Sequence, residues 1–257
     1  MKLVLFTCLI CIFFEDCHTD SSSYTKSTDL IQQNLRGRVE RLELTSYTVD
    51  SLGDQHLDSA INMVEFDRKG YATLYVNKTA SGKLTMNETV SRYENEAVRE
   101  FSNVIGGKLV SKLVLDIDKN GKYCAVRTYD SSGRQDSYYT DLAENKFGIV
   151  YTAKQHFMNG KIESAFDLKY DKANNIESKY TDSAGKITYS ASSKLNESGD
   201  PIEQASTTME NNSPRTDTIT YKYVRYDSND NWIERTTSNS KGKPTKIEKR
   251  SLTYYQD

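Results

Sequence analysis

Between residues 109 and 117 apolar and polar side chains alternate: Leu109, Leu113, Leu115 and Ile117 share one face, Lys112 and Asp116 the other. The same period sets Ile187, Tyr189, Ala191 and Leu195 against Thr188, Ser190, Ser192 and Lys194, and it returns in Phe147, Ile149, Tyr151, Ala153 and Phe157. Period two with one apolar face predicts half-buried antiparallel strands of roughly 7 to 9 residues. Polar segments separate them and fall into two interleaved series. The first has an apolar residue, an Asp or similar, then Gly or Asn: FDRKG (66–70), YENEA (93–97), IDKNG (117–121), LAENK (142–146), YDKANN (170–175), LNESG (195–199) and YDSND (226–230). The second ends in a basic residue: ASGK (80–83), IGGK (105–108), SSGR (131–134), MNGK (158–161), SAGK (183–186), NSPR (212–215) and SKGK (240–243).

Members of either series recur 24 to 31 residues apart. The chain is therefore seven repeats of about 25 residues, each with two turns and two strands. Gly, Asn and Asp mark the turns because tight hairpins need positive φ there. Residues 34–66 predict one more hairpin, and Thr28–Leu35 a single helical turn. The expected fold is all-β, an antiparallel meander of about 16 strands in one sheet. A sheet of that length must curl or twist to cover its apolar side, with a barrel as the limiting case. Whether it closes is left open by the pattern.

Composition supports strands over disorder. Among 257 residues there are 18 Tyr, 8 Phe and 3 Pro, with a mean hydropathy of −0.71. Tyrosine suits a pleated surface with one wet side, because it buries a ring and hydrates a hydroxyl. With 34 basic and 36 acidic residues the chain as a whole is no polyanion binder.

The N-terminus carries an address. Lys2 precedes an apolar run from Leu3 to Phe14, which as a helix rises about 18 Å, short of the ~30 Å of a bilayer core. This describes a secretory signal over residues 1–16. Cys17 follows where a bacterial lipoprotein signal places its cysteine. That resemblance implies acylation of Cys17, a tether over 17–33 and a folded domain over 34–257. Glu15-Asp16 stand where such signals carry a small residue, so ordinary cleavage after Ser21 or Ser23 is the competing reading. Either route exports the protein.

YDSNDNWIE (226–234) and YDKANNIESKYTDSAGKI (170–187) resemble the YD repeats of Rhs-type bacterial surface proteins. NLRGRVERLELTSYTVDSLGD (34–54) is similar to the start of a group of small envelope lipoproteins built from such repeats. The resemblance covers most of residues 34–255 and implies a scaffold. The units at 93–97 and 142–146 depart from it by lacking the turn glycine, and Pro214 replaces that glycine in 212–215.

Reactive chemistry is sparse. His18, His56 and His156 are isolated, and no nucleophile elbow, HExxH pair or phosphate loop occurs. Asp116 and Asp118 share a strand face, but Asp118 is a turn residue of its repeat. FDRKG and IDKNG lack the glutamate that closes a calcium loop. Cys8 and Cys11 have CxxC spacing inside the apolar leader, and Cys124, alone in the remainder, is expected to pack as a small hydrophobe. We therefore expect no catalysis, cofactor or metal.

In a meander, alternate turns fall on opposite edges, which lines up Lys83, Lys108, Arg134, Lys161, Lys186, Arg215 and Lys243. As a site, this edge meets a polyanion such as lipid headgroups or acidic polysaccharide. As plain structure, lysines solvate an edge and discourage association. Tyr138-Tyr139 and Trp232 likewise either stack on sugars or pack on cross-strand rings, with one of the two tyrosines on the wetter face. The expected role is an exported, lipid-anchored scaffold or binding module of the bacterial envelope, at the outer membrane or cell surface, or else periplasmic or secreted. Its partner is an envelope protein or surface polysaccharide, and not nucleic acid. The alternative is a carrier closed around a lipid or small apolar ligand.

Overall fold

A computed structural model describes residues 28–145, 149–171, 174–210 and 213–256. The signal segment, Cys17 and the tether up to residue 27 lie outside the described residues. Among the described residues, one short helix, α1 (Asp29–Gln32), precedes sixteen strands. They are β1 (Val39–Val49), β2 (Gln55–Phe66), β3 (Ala72–Lys78), β4 (Leu84–Arg92), β5 (Val98–Ile105), β6 (Lys108–Ile117), β7 (Tyr123–Tyr129) and β8 (Gln135–Glu144). The second half comprises β9 (Val150–Phe157), β10 (Ile162–Asp171), β11 (Asn174–Asp182), β12 (Ile187–Leu195), β13 (Pro201–Glu210), β14 (Ser213–Tyr226), β15 (Trp232–Asn239) and β16 (Pro244–Tyr254).

Each strand pairs antiparallel with the next, and β1 pairs with β16 from Val39↔Tyr254 to Thr48↔Lys246, so the sheet closes into a barrel. Closure removes both edges, which an open sheet of sixteen strands would leave exposed. The two turn series lie at opposite rims, as the meander requires.

One turn recurs in both series, though Ile105–Lys108 is instead a two-residue hairpin with Gly106 and Gly107 at positive φ. An Asx side chain accepts from the backbone amides two and four residues on: Asp67 from Lys69 and Tyr71 at 2.9 and 3.0 Å, Asp182 from Ala184 and Lys186 at 2.9 and 3.0 Å, Asp227 from Asn229 and Asn231, both at 2.9 Å. The fourth residue sits in the left-handed region. Where glycine is missing there, Glu96 (φ 63°) and Asp230 (φ 59°) are held in its place.

Such a turn carries a bulge beside it, and the ladders show register shifts next to their turns, for example between Asp116 and Ile117. The bulge corrects two expectations. Tyr123 takes the inner position and is buried, which leaves Cys124 exposed with its thiol 3.6 Å from the Asp116 carbonyl. Ile187, expected with the apolar face, is 46% exposed after a shift at Tyr180/Thr181.

The segment 28–38 straps the rim formed by the first turn series. The helical turn expected over 28–35 is present, and residues 28–33, assigned to the tether on sequence, belong to the folded unit. Thr28 caps α1. The Leu30 amide donates to the Gly70 carbonyl at 3.1 Å, and a Cβ on Gly70 would lie 2.9 Å from Leu30 Cδ1. Asp29 is buried against Arg92 and accepts from the Ala72 amide at 2.6 Å. Burial raises the Asp29 pKa, against the opposing pull of Arg92 and that amide. Across the rim, Asn34 donates to Asp200 at 2.7 Å, and Asn231 exchanges hydrogen bonds with the Arg36 backbone at 2.7 and 2.9 Å. Leu30 and Leu35 complete the apolar cluster at this end.

Asp230→Gly relieves the left-handed strain at an exposed position and loses only a surface ion pair to Arg36 at 3.9 Å. It is expected to stabilise the fold by about 1 kcal/mol, measured as a rise in the urea midpoint. An unchanged or lowered midpoint contradicts this account of the turn.

Candidate functional site

The register, carried round the closed barrel, fixes which side chains face inward. Val64, Tyr75, Phe101, Leu115, Val126, Tyr139, Ala153, Phe166 and Leu168 do so and are buried. The outer face is charged. Arg41–Glu65 (3.0 Å), Arg127–Asp116 (2.7 Å), Lys169–Glu177 (2.8 Å), Lys194–Glu203 (2.7 Å) and Arg225–Glu234 (2.6 Å) pair across strands on it. Each Lys or Arg facing lipid at the bilayer midplane would cost about 2–4 kcal/mol, so this barrel wall is built for water.

The basic positions assemble only in part. Lys83, Lys108, Arg134, Lys161, Lys186 and Lys243 lie at one rim, at or beside the turns between β3–β4, β5–β6, β7–β8, β9–β10, β11–β12 and β15–β16. Arg215 departs from this: it sits inside β14 and pairs with Glu210 and Asp217, each at 3.3 Å. The rim is also less basic than the quoted turns suggest, because their Asx residues lie just outside those segments. Asp50, Asp54, Asp130 and Asp182 share it; Asp50 meets His56 at 2.9 Å and Asp130 meets Arg134 at 3.4 Å.

The aromatic candidates separate. Tyr139 is buried inside, while Tyr138 lies outside, stacked on His156 at 4.9 Å with a 6° interplanar angle. Trp232 is 2% exposed, with the guanidinium carbons of Arg250 and Arg235 at 3.5 and 4.5 Å from its ring. It is a packing residue with no face left for a sugar. Arg235 bonds Glu248 at 2.6 Å and Lys246 meets the other carboxylate oxygen at 3.1 Å. Burial works against the Glu248 charge, but Arg235 and Lys246 hold its pKa below the usual carboxylate range. His56 meets Asp50, His156 meets the Thr140 hydroxyl at 2.8 Å and the Gly160 carbonyl at 3.2 Å beside the Tyr138 ring, and among the described residues no group of three metal-ligating side chains converges. Asp116 is taken by Arg127, and Asp118 closes its turn, its pKa lowered chiefly by the Lys122 amide.

Sequence reasoning missed the inner wall of β11–β14. Each of β3–β10 carries at least one buried inward side chain among partly buried ones such as Met86, Leu113 and Tyr170, whereas the corresponding Ser178, Tyr180, Tyr189, Ala191, Ser193, Gln204, Ser206 and Tyr221 are all half-exposed. Their rows are ordered. Phe166, Tyr180 and Tyr189 pair directly across β10–β12, with Tyr180 and Tyr189 ring centroids 5.7 Å apart. One step along, Ser178, Ala191, Ser206 and Asp217 pair across β11–β14. The next step brings Ser193 and Gln204, whose Oε1 accepts from the Tyr221 hydroxyl at 3.2 Å. A floor of small side chains thus lies between a tyrosine wall and an amide wall. It is about 14 Å long over three strand spacings and about 13 Å between wall rows. The signal available in sequence was the run of Ser, Ala and Thr in 188–193 and 205–208, small residues where the other strands carry Leu, Phe or Val.

On the filled side, Glu88 faces inward between Tyr75 and Asn103, 5% exposed, and its Oε1 has no hydrogen-bond partner. Desolvation raises its pKa to about 7.

No family model matches the chain, and no curated protein matches it. Among solved structures, it is similar to a porin-like protein from Bacteroides uniformis, at 13% identity and a TM-score of 0.54, covering 84% of this chain and 96% of that one. A porin-like protein from Bacteroides vulgatus aligns at 12% identity over 85% of this chain and 99% of that one, with a TM-score of 0.37. The first likeness is one of fold. It sets this chain beside another protein of barrel-sized length and leaves its chemistry to its own residues.

Glu88 gives a pH signature. The folded protein keeps a proton that the unfolded chain releases at the ordinary value of 4.5, so stability falls as pH rises from about 4.5 to about 7 and is flat above. Glu88→Gln is expected to stabilise the protein at pH 8 by up to roughly 3 kcal/mol, with little effect at pH 5. Equal effects at both pH values in thermal denaturation would contradict this burial argument.

Proposed function

We propose that this protein is an exported, non-catalytic binding module of the bacterial envelope that holds its ligand against the inner wall of β11–β14. One observation carries the reading: the barrel closes, and every strand from β3 to β10 has a buried inward side chain while none of the described inward side chains of β11–β14 is buried. A core that served stability alone would be filled all round, because interiors pack to uniform density. A wall of half-exposed tyrosines and hydroxyls inside a closed sheet is instead the concave, mixed surface on which ligands settle. This moves the preference from a scaffold used through its outer face towards a carrier-like use of the lumen. The small and polar lining argues against a purely apolar cargo.

Kinship with YD-repeat envelope lipoproteins is part of this proposal. It is supported by the shared turn, an Asp after an aromatic residue closing a hairpin, in Tyr226-Asp227 and its relatives. Acylation of Cys17 then tethers the barrel to a membrane.

Two measurements test the reading. Purified protein, exposed to an envelope extract separated into protein, polysaccharide and lipid fractions, is expected to retain a component that Ser206→Phe loses and the outer-face change Lys169→Glu keeps. The opposite pattern would make the outer face the site and the protein a scaffold. In bacteria, Cys17→Ser is expected to move the protein from the membrane to the soluble fraction; a protein that stays soluble with Cys17 intact is not lipid-anchored.

A further inference from the structure

We infer that the groove across β11–β14 is a saccharide site, taking a chain of neutral hexose rings; this rests on the lumen-binding reading above. The chemistry of the lining selects the class. An acyl chain asks for a continuous apolar surface, and burying hydroxyls and amides against it without partners costs free energy. Here the floor is Ser178, Ala191 and Ser206, and the facing wall presents the Gln204 carboxamide, held by the Tyr221 hydroxyl at 3.2 Å. A sugar ring offers two kinds of surface: an apolar C–H face, which packs on an aromatic ring, and equatorial hydroxyls, which exchange hydrogen bonds with Ser, Gln and Asp. The Tyr180–Tyr189 pair supplies the first and the floor and facing wall the second.

Size agrees. A floor of about 14 Å holds two to three hexose rings, each roughly 5 Å along the chain, lying across the strands. The site is open at one end, where Asp217 extends beyond the last β14–β15 pair at Ile219↔Asn239 and meets Arg215 at 3.3 Å. A carboxylate and guanidinium side by side there bind vicinal hydroxyls without selecting a net charge, which is why a neutral sugar is preferred to an acidic one. The tyrosines that enter this site are inward-facing, whereas the outward Tyr138 is already stacked on His156.

The test uses the purified full protein, calorimetric titration with maltohexaose, cellohexaose and mannohexaose, and a parallel arm with the fluorescent fatty acid cis-parinaric acid. At least one hexasaccharide is expected to bind with a submillimolar Kd. Ala191→Phe, which fills the floor, should weaken that binding at least tenfold. Ser190→Phe, the adjacent residue on the outer face, should leave it within twofold. If Ala191→Phe does not fold by circular dichroism, Tyr189→Ala replaces it with the same expectation. Failure of all three sugars, or equal affinity in the inner and outer variants, overturns the saccharide assignment. The fatty-acid arm separates that failure from failure of the lumen reading. Fatty acid bound by the wild type and blocked by Ala191→Phe keeps a lumen site but makes it a lipid site. Neither probe bound, or neither blocked, removes both.

Discussion

One carboxylate or carboxamide oxygen accepting two backbone amides organises this barrel. Asp50, Asp67, Asp118, Asp130, Asp182, Asp227 and Asn239 each do so, at N···O distances of 2.8–3.1 Å. Satisfying two amides that the hairpin itself leaves open fixes loop length, and loop length fixes register. With register fixed hairpin by hairpin, sixteen strands can meet end to end without a slip at the final β1–β16 ladder.

The same turn breaks the strict alternation beside it. Its left-handed fourth residue brings a bulge, and a bulge moves the next side chain to the other face. Cys124 lies outside and Tyr123 inside for this reason. The residue just after the left-handed position also differentiates the rims. At one rim it is Lys83, Arg134, Lys161, Lys186 or Lys243, facing water. At the other it includes Tyr71, Ala97, Asp200 and Asn231, which are buried under or beside the strap. One local motif thus yields a solvated end and a capped end.

The strap joins distant parts of the ring. Asp29 reaches Arg92 and Ala72 near the start of the meander, while Asn34 and Arg36 reach Asp200 and Asn231 near its end. A short polypeptide making buried polar contacts on opposite sides of a rim ties the barrel's shape to its first folded residues. Within the wall, each strand from β3 to β10 carries a buried inward side chain, and among the described residues none from β11 to β14 does. Closure without uniform filling turns a repeat scaffold into a surface with an inside.

The sequence by itself determined the strands, their number, the positions of the turns and the antiparallel order, because period two and Asx-Gly turns are local properties of the chain. It also determined that the two turn series occupy opposite rims. Only the tertiary structure decided that the sheet closes, since closure depends on the register summed over every ladder and on β1 meeting β16. It alone paired Arg215 with neighbouring carboxylates, set aspartates among the rim lysines, and enclosed Trp232 between two arginines. The partly exposed inner wall of β11–β14 belongs to the same class: small residues are visible in the chain, but how far they are covered depends on side chains contributed from the rest of the barrel.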